Sequence, residues 1–264
     1  MPLSPASLFD LDGQVALVTG SSRGLGWAIA QALAGAGALV VLNARGVDAL
    51  APRRDALVGA GLKAETMAFD AGDPAAATAA VAAIASRFGR LDILVNNAAG
   101  SVRKPALELT DEDWSRTIEA SLTSGFRLAR AAGRIMTRAR YGRIVFTSSI
   151  NSMVVRPGMV GYATAKTGML GLVRSLAVEF AADGVTVNAI APGYFPTEGN
   201  AATRRSDPGF EARIATRTPM GRWGRPEELG PACLYLCSRA SSFTTGTVLT
   251  VDGGLTVAIG SEPT

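Results

Sequence analysis

From residue 15 onward the chain alternates short runs of β-branched and aliphatic residues with long alanine-rich stretches, and this alternation constrains its fold more than any other feature. The runs VALVTG (15–20), LVVLN (39–43), KAETMAF (63–69), DILVNN (92–97), GRIVFTSS (142–149), GVTVNAI (184–190) and TVLTVDGG (247–254) read as strands. The stretches 24–36, 47–60, 74–88, 111–139, 160–182 and 226–238 read as helices between them. Strands that are apolar on both faces and separated by helices imply a mostly parallel sheet with helices on both faces, a doubly wound α/β arrangement. No linker, repeat or low-complexity segment divides the 264 residues, so they are read as a single domain, 1–264. The stretch 191–225, rich in Pro, Gly, Thr and Arg, is the least regular, and it is too long for a routine connection. It is expected to be a substrate loop or lid.

The chain contains no histidine. Ser-His-Asp triads, Cys-His pairs and histidine-bearing metal sites are therefore excluded, and no metal is expected. Acid–base work near neutral pH falls to Tyr, Lys, Cys or a shifted carboxylate. The net charge of +4 is carried by scattered arginines without interleaved aromatics, which argues against nucleic acid as a partner and suits an anionic small molecule. Cys233 and Cys237, four apart in CLYLC, read as core packing in a reducing compartment. The start MPLSPASLFDLDG has no secretory pattern, and no apolar run is long enough to span a membrane, so the expected location is the cytoplasm.

The first strand runs through a glycine-rich turn into the first long helix: VALVTGSSRGLGWAIAQAL. Gly20, Gly24 and Gly26 allow the backbone to turn tightly, approach a pyrophosphate and offer it helix N-terminal N–H groups. This placement points to a dinucleotide and to a Rossmann fold. At the end of the second strand an acid would accept hydrogen bonds from a free ribose 2′-hydroxyl, but here the chain reads Asn43-Ala44-Arg45. Arg45, with Arg23 in the turn, suits a 2′-phosphate, so NADP(H) is expected over NAD(H).

With these features the chain resembles the short-chain dehydrogenase/reductase family over nearly its whole length. TGSSRGLG, contributing Gly20, Ser22, Arg23, Gly24, Leu25 and Gly26, resembles the family's cofactor turn, and FDAGD, with Asp70 and Ala71, its adenine-contacting segment. NNAAG (96–100), with Asn97 and Ala98, is similar to its strand-four motif, although Ala99 stands where glycine is usual. NAIAPGYFPTE supplies Pro192, Gly193 and Thr197 to the nicotinamide side. GYATAK matches Tyr-x-x-x-Lys, and Ser149 lies 13 residues before Tyr162. The resemblance implies that Tyr162 exchanges a proton with the substrate oxygen, that Ser149 hydrogen-bonds that oxygen, and that Lys166 lowers the phenol's pKa and holds the nicotinamide ribose. Bringing a phenol from ~10 to ~7 needs about 4 kcal/mol, which one ammonium at ~4 Å supplies in an effective dielectric of ~20. Where the family carries a relay asparagine, EASLTSGF has Ser121, a shorter group expected to serve a rewired relay.

Within the family, SLFDLDGQVALVTGSSRGLG, APGYFPTE and RTPMGRWGRPEEL resemble the gluconate 5-dehydrogenase branch, which implies a sugar acid such as gluconate and its 5-keto form as substrates. Arg103, just after the NNAAG motif, would meet the carboxylate. Ser149 and Tyr162 complete the substrate contacts. A reductase of 3-oxoacyl thioesters or other small ketones remains open, as does a dinucleotide sensor without turnover. The resemblance also implies a homotetramer packed through 111–139 and 160–182, with the tail from 251 at a subunit contact.

Overall fold

The computed structural model describes residues 4–259. The tail expected at a subunit contact therefore falls partly, at residues 260–264, outside the described residues. The seven strands are β1 (Val15–Val18), β2 (Leu39–Ala44), β3 (Ala64–Ala68), β4 (Ile93–Asn96), β5 (Gly142–Thr147), β6 (Val185–Pro192) and β7 (Val248–Val251). They form one sheet in the order β3-β2-β1-β4-β5-β6-β7, and every pairing is parallel, not just most of them. The order reverses between β1 and β4, which opens a crevice at their C-terminal ends where such sheets take ligands.

The central strands are mostly apolar because both faces of the sheet are covered there. Leu17, Leu94, Ile144 and Phe146 face one hydrophobic core, while Ala16, Val18, Ile93, Val95 and Val145 face the other. The first core is closed by α4 (Pro74–Phe88), α6 (Ser124–Ala139) and α7 (Val160–Phe180). Leu128, Ala129, Ala132 and Met136 give α6 a buried stripe at helical spacing. The second core is closed chiefly by α2 (Gly24–Gly35) and α10 (Gly230–Cys237), with Leu57 of α3 (Ala51–Gly59) at its edge. Leu33 of α2 is fully buried there, and truncating such a leucine to alanine costs about 2–5 kcal/mol. Cys233 and Cys237 are free, buried in this core with sulfurs 3.9 Å apart.

Three stretches differ from the sequence expectation. The helix expected over 111–139 is α5 (Asp111–Ile118), a π-helical turn (Glu119–Thr123) and α6, so the wider turn falls on Ser121. The helix expected over 226–238 is a 3-10 turn (Pro226–Leu229) followed by α10, because Pro231 has no N–H to carry the ladder back into the turn that Pro226 opens. The stretch 191–225 contains two helices, α8 (Glu198–Ser206), with no buried residue, and α9 (Phe210–Arg217), whose Phe210 and Ile214 form a small core with Trp223, against which Tyr194 packs. A short N-terminal helix, α1 (Pro5–Phe9), precedes β1.

Candidate functional site

The glycine turn between β1 and α2 is shaped by its neighbours. Gly20 and Gly24 have φ of +62° and +56°, the left-handed region that glycine occupies without strain. A Cβ on Gly26 would fall 2.4 Å from both the Asn97 amide nitrogen and the Gly20 carbonyl oxygen, so only glycine lets the helix start so close to the turn. Three side chains hold the turn from below. Thr19 accepts from the backbone N–H of Asn97 (2.9 Å) and Ala98 (3.0 Å). The Asn97 amide donates to the carbonyls of Thr19 (3.0 Å) and Gly20 (3.2 Å). Asn43 accepts from the Gly20 N–H (3.3 Å) and donates to the carbonyls of Met67 and Phe69 (both 3.1 Å). The Asn43 amide is buried and committed to the protein, where it shapes the cradle.

At the rim of the cradle, Arg23 and Arg45 are exposed, and among the described residues neither side chain has a hydrogen bond or ion pair. Asp70 and Ala71 follow β3 beside them, and Asp70 accepts from the Gly72 N–H at 2.9 Å. Sequence reasoning missed Arg53, which donates to the Ser22 carbonyl at 2.9 Å and stacks on Trp27 at 4.8 Å from the ring centroid. Its signal, a cation in PRRD opening the next helix, looks like any solvated helix start. Leu25 packs into the second core. On the far side, Pro192 ends β6, and Gly193 donates to the Val251 carbonyl at 2.9 Å, where a Cβ would meet Asp252 at 2.7 Å. Thr197 opens α8, and a Cβ on Gly24 would lie 3.6 Å from its methyl group and 3.5 Å from a Glu198 carboxylate oxygen. The start of α8 therefore lies across the glycine turn.

Ser149, Tyr162 and Lys166 are brought together where β5 ends and α7 begins. Tyr162 and Lys166 occupy successive turns of α7, with the ammonium 5.6 Å from the phenol ring centroid. Lys166 is 2% exposed and donates to the Thr147 carbonyl at 2.6 Å, and burial lowers its pKa from 10.5 to about 8. The Tyr162 pKa moves opposite to the sequence expectation. Burial pushes the phenol up, while the neighbouring Ser149 hydroxyl and the positive charge of Arg103 pull it down by less.

Ser121 also departs from expectation. It is 2% exposed, and its hydroxyl donates to the Gly100 carbonyl at 2.5 Å and accepts from the Gly100 N–H at 3.3 Å. Its donor is thus engaged by the loop after β4, not directed to a relay, and the π-helical turn places it there. Asn96, buried one residue before the turn-supporting Asn97, has both amide atoms unpaired.

Three adjoining segments continue from the site residues: 101–105 after the NNAAG motif, 153–159 between Ser149 and Tyr162, and 194–223 after β6; they are taken as the mouth of the candidate site. Lys104 is tied to Asp113 at 2.6 Å, whereas Arg103 is exposed and in no ion pair among the described residues. Tyr194, Phe210 and Trp223 form a mutually tilted aromatic cluster with centroids 5.2–5.9 Å apart. Arg156 lies with its guanidinium 5.5 Å from the Phe210 centroid. Among the described residues no group of three His, Cys, Asp or Glu could hold a metal, and no helix is long and apolar enough to cross a membrane.

A family model described as "Enoyl-(Acyl carrier protein) reductase" matches residues 20–256. The chain is 41% identical to the gluconate 5-dehydrogenase of Gluconobacter oxydans (strain 621H), covering 97% of this chain and all of that protein. It is 37% identical to a 3-oxoacyl-[acyl-carrier-protein] reductase of Escherichia coli (strain K12), over 93% of this chain and 98% of the relative. The crystal structure of a gluconate 5-dehydrogenase from Burkholderia cenocepacia J2315 in complex with NADP and tartrate is similar with a TM-score of 0.93, at 38% identity, over 97% of this chain and all of that one.

Proposed function

Since the chain belongs to the short-chain dehydrogenase/reductase family, we propose that it is an NADP(H)-dependent enzyme interconverting the secondary alcohol and ketone of a sugar acid such as gluconate and 5-ketogluconate. The observation that carries the sugar-acid reading is Arg103: its charge acts on the Tyr162 phenol, and it has no acidic partner among the described residues. An anionic substrate whose reacting oxygen meets Tyr162 would supply that partner.

The cradle fits a dinucleotide. Its glycines leave the backbone open to a pyrophosphate at the N-terminus of α2, a 12-residue helix. Arg23 and Arg45 stand free at the ribose end with no carboxylate on Asn43-Ala44-Arg45 to repel a 2′-phosphate, which supports NADP(H). Bound there, the cofactor supplies or accepts the hydride. Tyr162 gives its proton to the carbonyl oxygen in reduction and takes it back in oxidation. Ser149 hydrogen-bonds the same oxygen, since its hydroxyl can both donate and accept. Lys166, anchored on the Thr147 carbonyl, holds a positive charge beneath the phenol ring that favours the phenolate as it forms.

Reduction of a 3-oxoacyl thioester or another small ketone is the second reading, supported by the likeness to the E. coli reductase. A dinucleotide sensor would have no use for three reactive side chains gathered at one point. A homotetramer is part of the proposal: Trp114 and Val178 are 37% and 82% exposed on α5 and α7, faces a partner copy could cover. A reducing compartment such as the cytoplasm suits the free thiols of Cys233 and Cys237.

The test is initial-rate oxidation of D-gluconate with NADP and NAD at matched concentrations. Faster turnover with NADP is expected. No turnover with either, in a protein that binds NADPH, would remove gluconate and favour the ketone reading.

A further inference from the structure

We propose that Arg156 receives the substrate carboxylate. The proposal rests on the sugar-acid reading and names the residue that enforces it. Arg156 lies between Ser149 and Tyr162, in the segment 153–159, which joins the two other segments at the mouth. A Cβ on Gly158 would lie 3.8 Å from the Lys104 carbonyl oxygen, so this segment abuts 101–105. The Arg156 guanidinium, 5.5 Å from the Phe210 centroid, links it to α9. Phe210 is fixed in turn by edge contacts with Tyr194 and Trp223, at 77° and 82° between ring planes. Arg156 is thus held on an aromatic platform instead of moving freely in solvent.

Its Nε is buried and has no hydrogen-bond partner. Elsewhere the same atom is matched: Arg53 Nε donates to Ser22, Arg90 Nε to Asp92 and Arg143 Nε to Ser238. A guanidinium cannot shed its proton to escape the cost of burial, and among the described residues no hydrogen bond or ion pair engages any nitrogen of Arg156, so its terminal N–H groups are left for a ligand. The surroundings say what kind of acceptor it is. SVRKP (101–105) and MVVRPGM (153–159) contain no acid. The acids of the third segment that could approach are engaged: Asp207 by Arg213, and Glu211 facing Arg204 at 3.9 Å. Glu198 lies against the glycine turn. Arg103 and Arg156 therefore stand on adjoining segments with no protein anion between them. A planar carboxylate matches the guanidinium fork, and a hydroxy acid of several carbons can present one end to Arg156 and a reacting carbon to Tyr162.

The experiment is equilibrium binding of D-gluconate, and of its uncharged counterpart glucitol, to the protein–NADPH complex, followed by nicotinamide fluorescence. Arg156→Gln is expected to weaken gluconate by about tenfold to a hundredfold, the range for a lost charge-assisted hydrogen bond, and to leave glucitol and NADPH unchanged. Arg156→Lys, which keeps the charge without the fork, should fall between. Equal weakening of both ligands would show that Arg156 only packs the segment against Phe210, and an undiminished preference for gluconate in Arg156→Gln would show that it makes no contact; either overturns the proposal. Wild-type protein that prefers gluconate in binding without oxidising it would instead sink the substrate reading while leaving the Arg156 contact standing. No preference in the wild type would remove the contact whatever the turnover.

Discussion

The glycine turn and the mouth of the site lie on opposite sides of the same crevice but are built on opposite rules. Beneath the turn the polar side chains are bonded to protein, since Thr19, Asn43 and Asn97 all meet backbone groups, and only at its rim do Arg23 and Arg45 stand unmatched; the proposed dinucleotide would meet glycine backbone and helix N–H groups. At the mouth the backbone is contributed by three segments distant in sequence, and the proposed recognition rests on side chains, notably Arg103 and Arg156, that the protein leaves unmatched. A part shared by every substrate can be set by main-chain geometry, which few substitutions disturb. A part that distinguishes substrates has to be written in side chains.

The strongest way to sharpen this comparison is Tyr162→Phe. It removes one oxygen from a residue outside both regions, so turnover should fall by about 10²–10⁴ while NADPH affinity, read by fluorescence, stays within about twofold. Substantial residual turnover would defeat the acid–base assignment. Gly26→Ala attacks the turn where a Cβ meets the Gly20 carbonyl at 2.4 Å. Overpacking of this kind costs about 1–3 kcal/mol, so denaturant unfolding should show that loss together with weakened NADPH; tolerance of the methyl would mean the turn is less preformed than the structure indicates. Arg45→Asp should weaken NADPH by about tenfold or more with little effect on NADH, the difference expected of one charge-assisted contact to a 2′-phosphate. Equal weakening would move Arg45 out of the cofactor site.

A pH profile tests the lysine that joins the two regions. Lys166 is charged below its lowered pKa of about 8 and neutral above it, so turnover should decline as pH rises through about 8, and a flat profile to pH 10 would show that its charge does not matter. The smallest effect is expected from Ser121→Ala. Losing the bond to Gly100 frees the start of segment 101–105, so KM should rise by about twofold to fivefold with kcat nearly unchanged, in keeping with one neutral hydrogen bond. A collapse of kcat would restore the relay role.

Reading the sequence went furthest where function depends on main-chain geometry. β-branched runs at βα spacing, Gly20, Gly24 and Gly26, and the Tyr162–Lys166 step along one helix face all leave local patterns. What stayed hidden depends on contacts distant in sequence. Nothing local to Asn43 reveals that Met67, Phe69 and Gly20 converge on it. The wide turn at Glu119–Thr123 has no breaker residue to announce it. The helices α8 and α9 are short and polar, with a stripe of two buried residues on α9 and none on α8, too few to register as a period. Nothing in MVVRPG sets Arg156 apart from the other scattered arginines; only its placement over Phe210 does.

The small core of Phe210, Ile214 and Trp223 is separate from the two large ones that hold the sheet. The segment from Phe210 to Trp223 can thus be treated as a cassette, whereas Phe195 belongs to the second large core and Thr197 and Glu198 abut the glycine turn. Grafting the corresponding segment of a relative should alter which alcohols are oxidised without rebuilding the dinucleotide cradle, and selection acting on new substrates would have the same freedom.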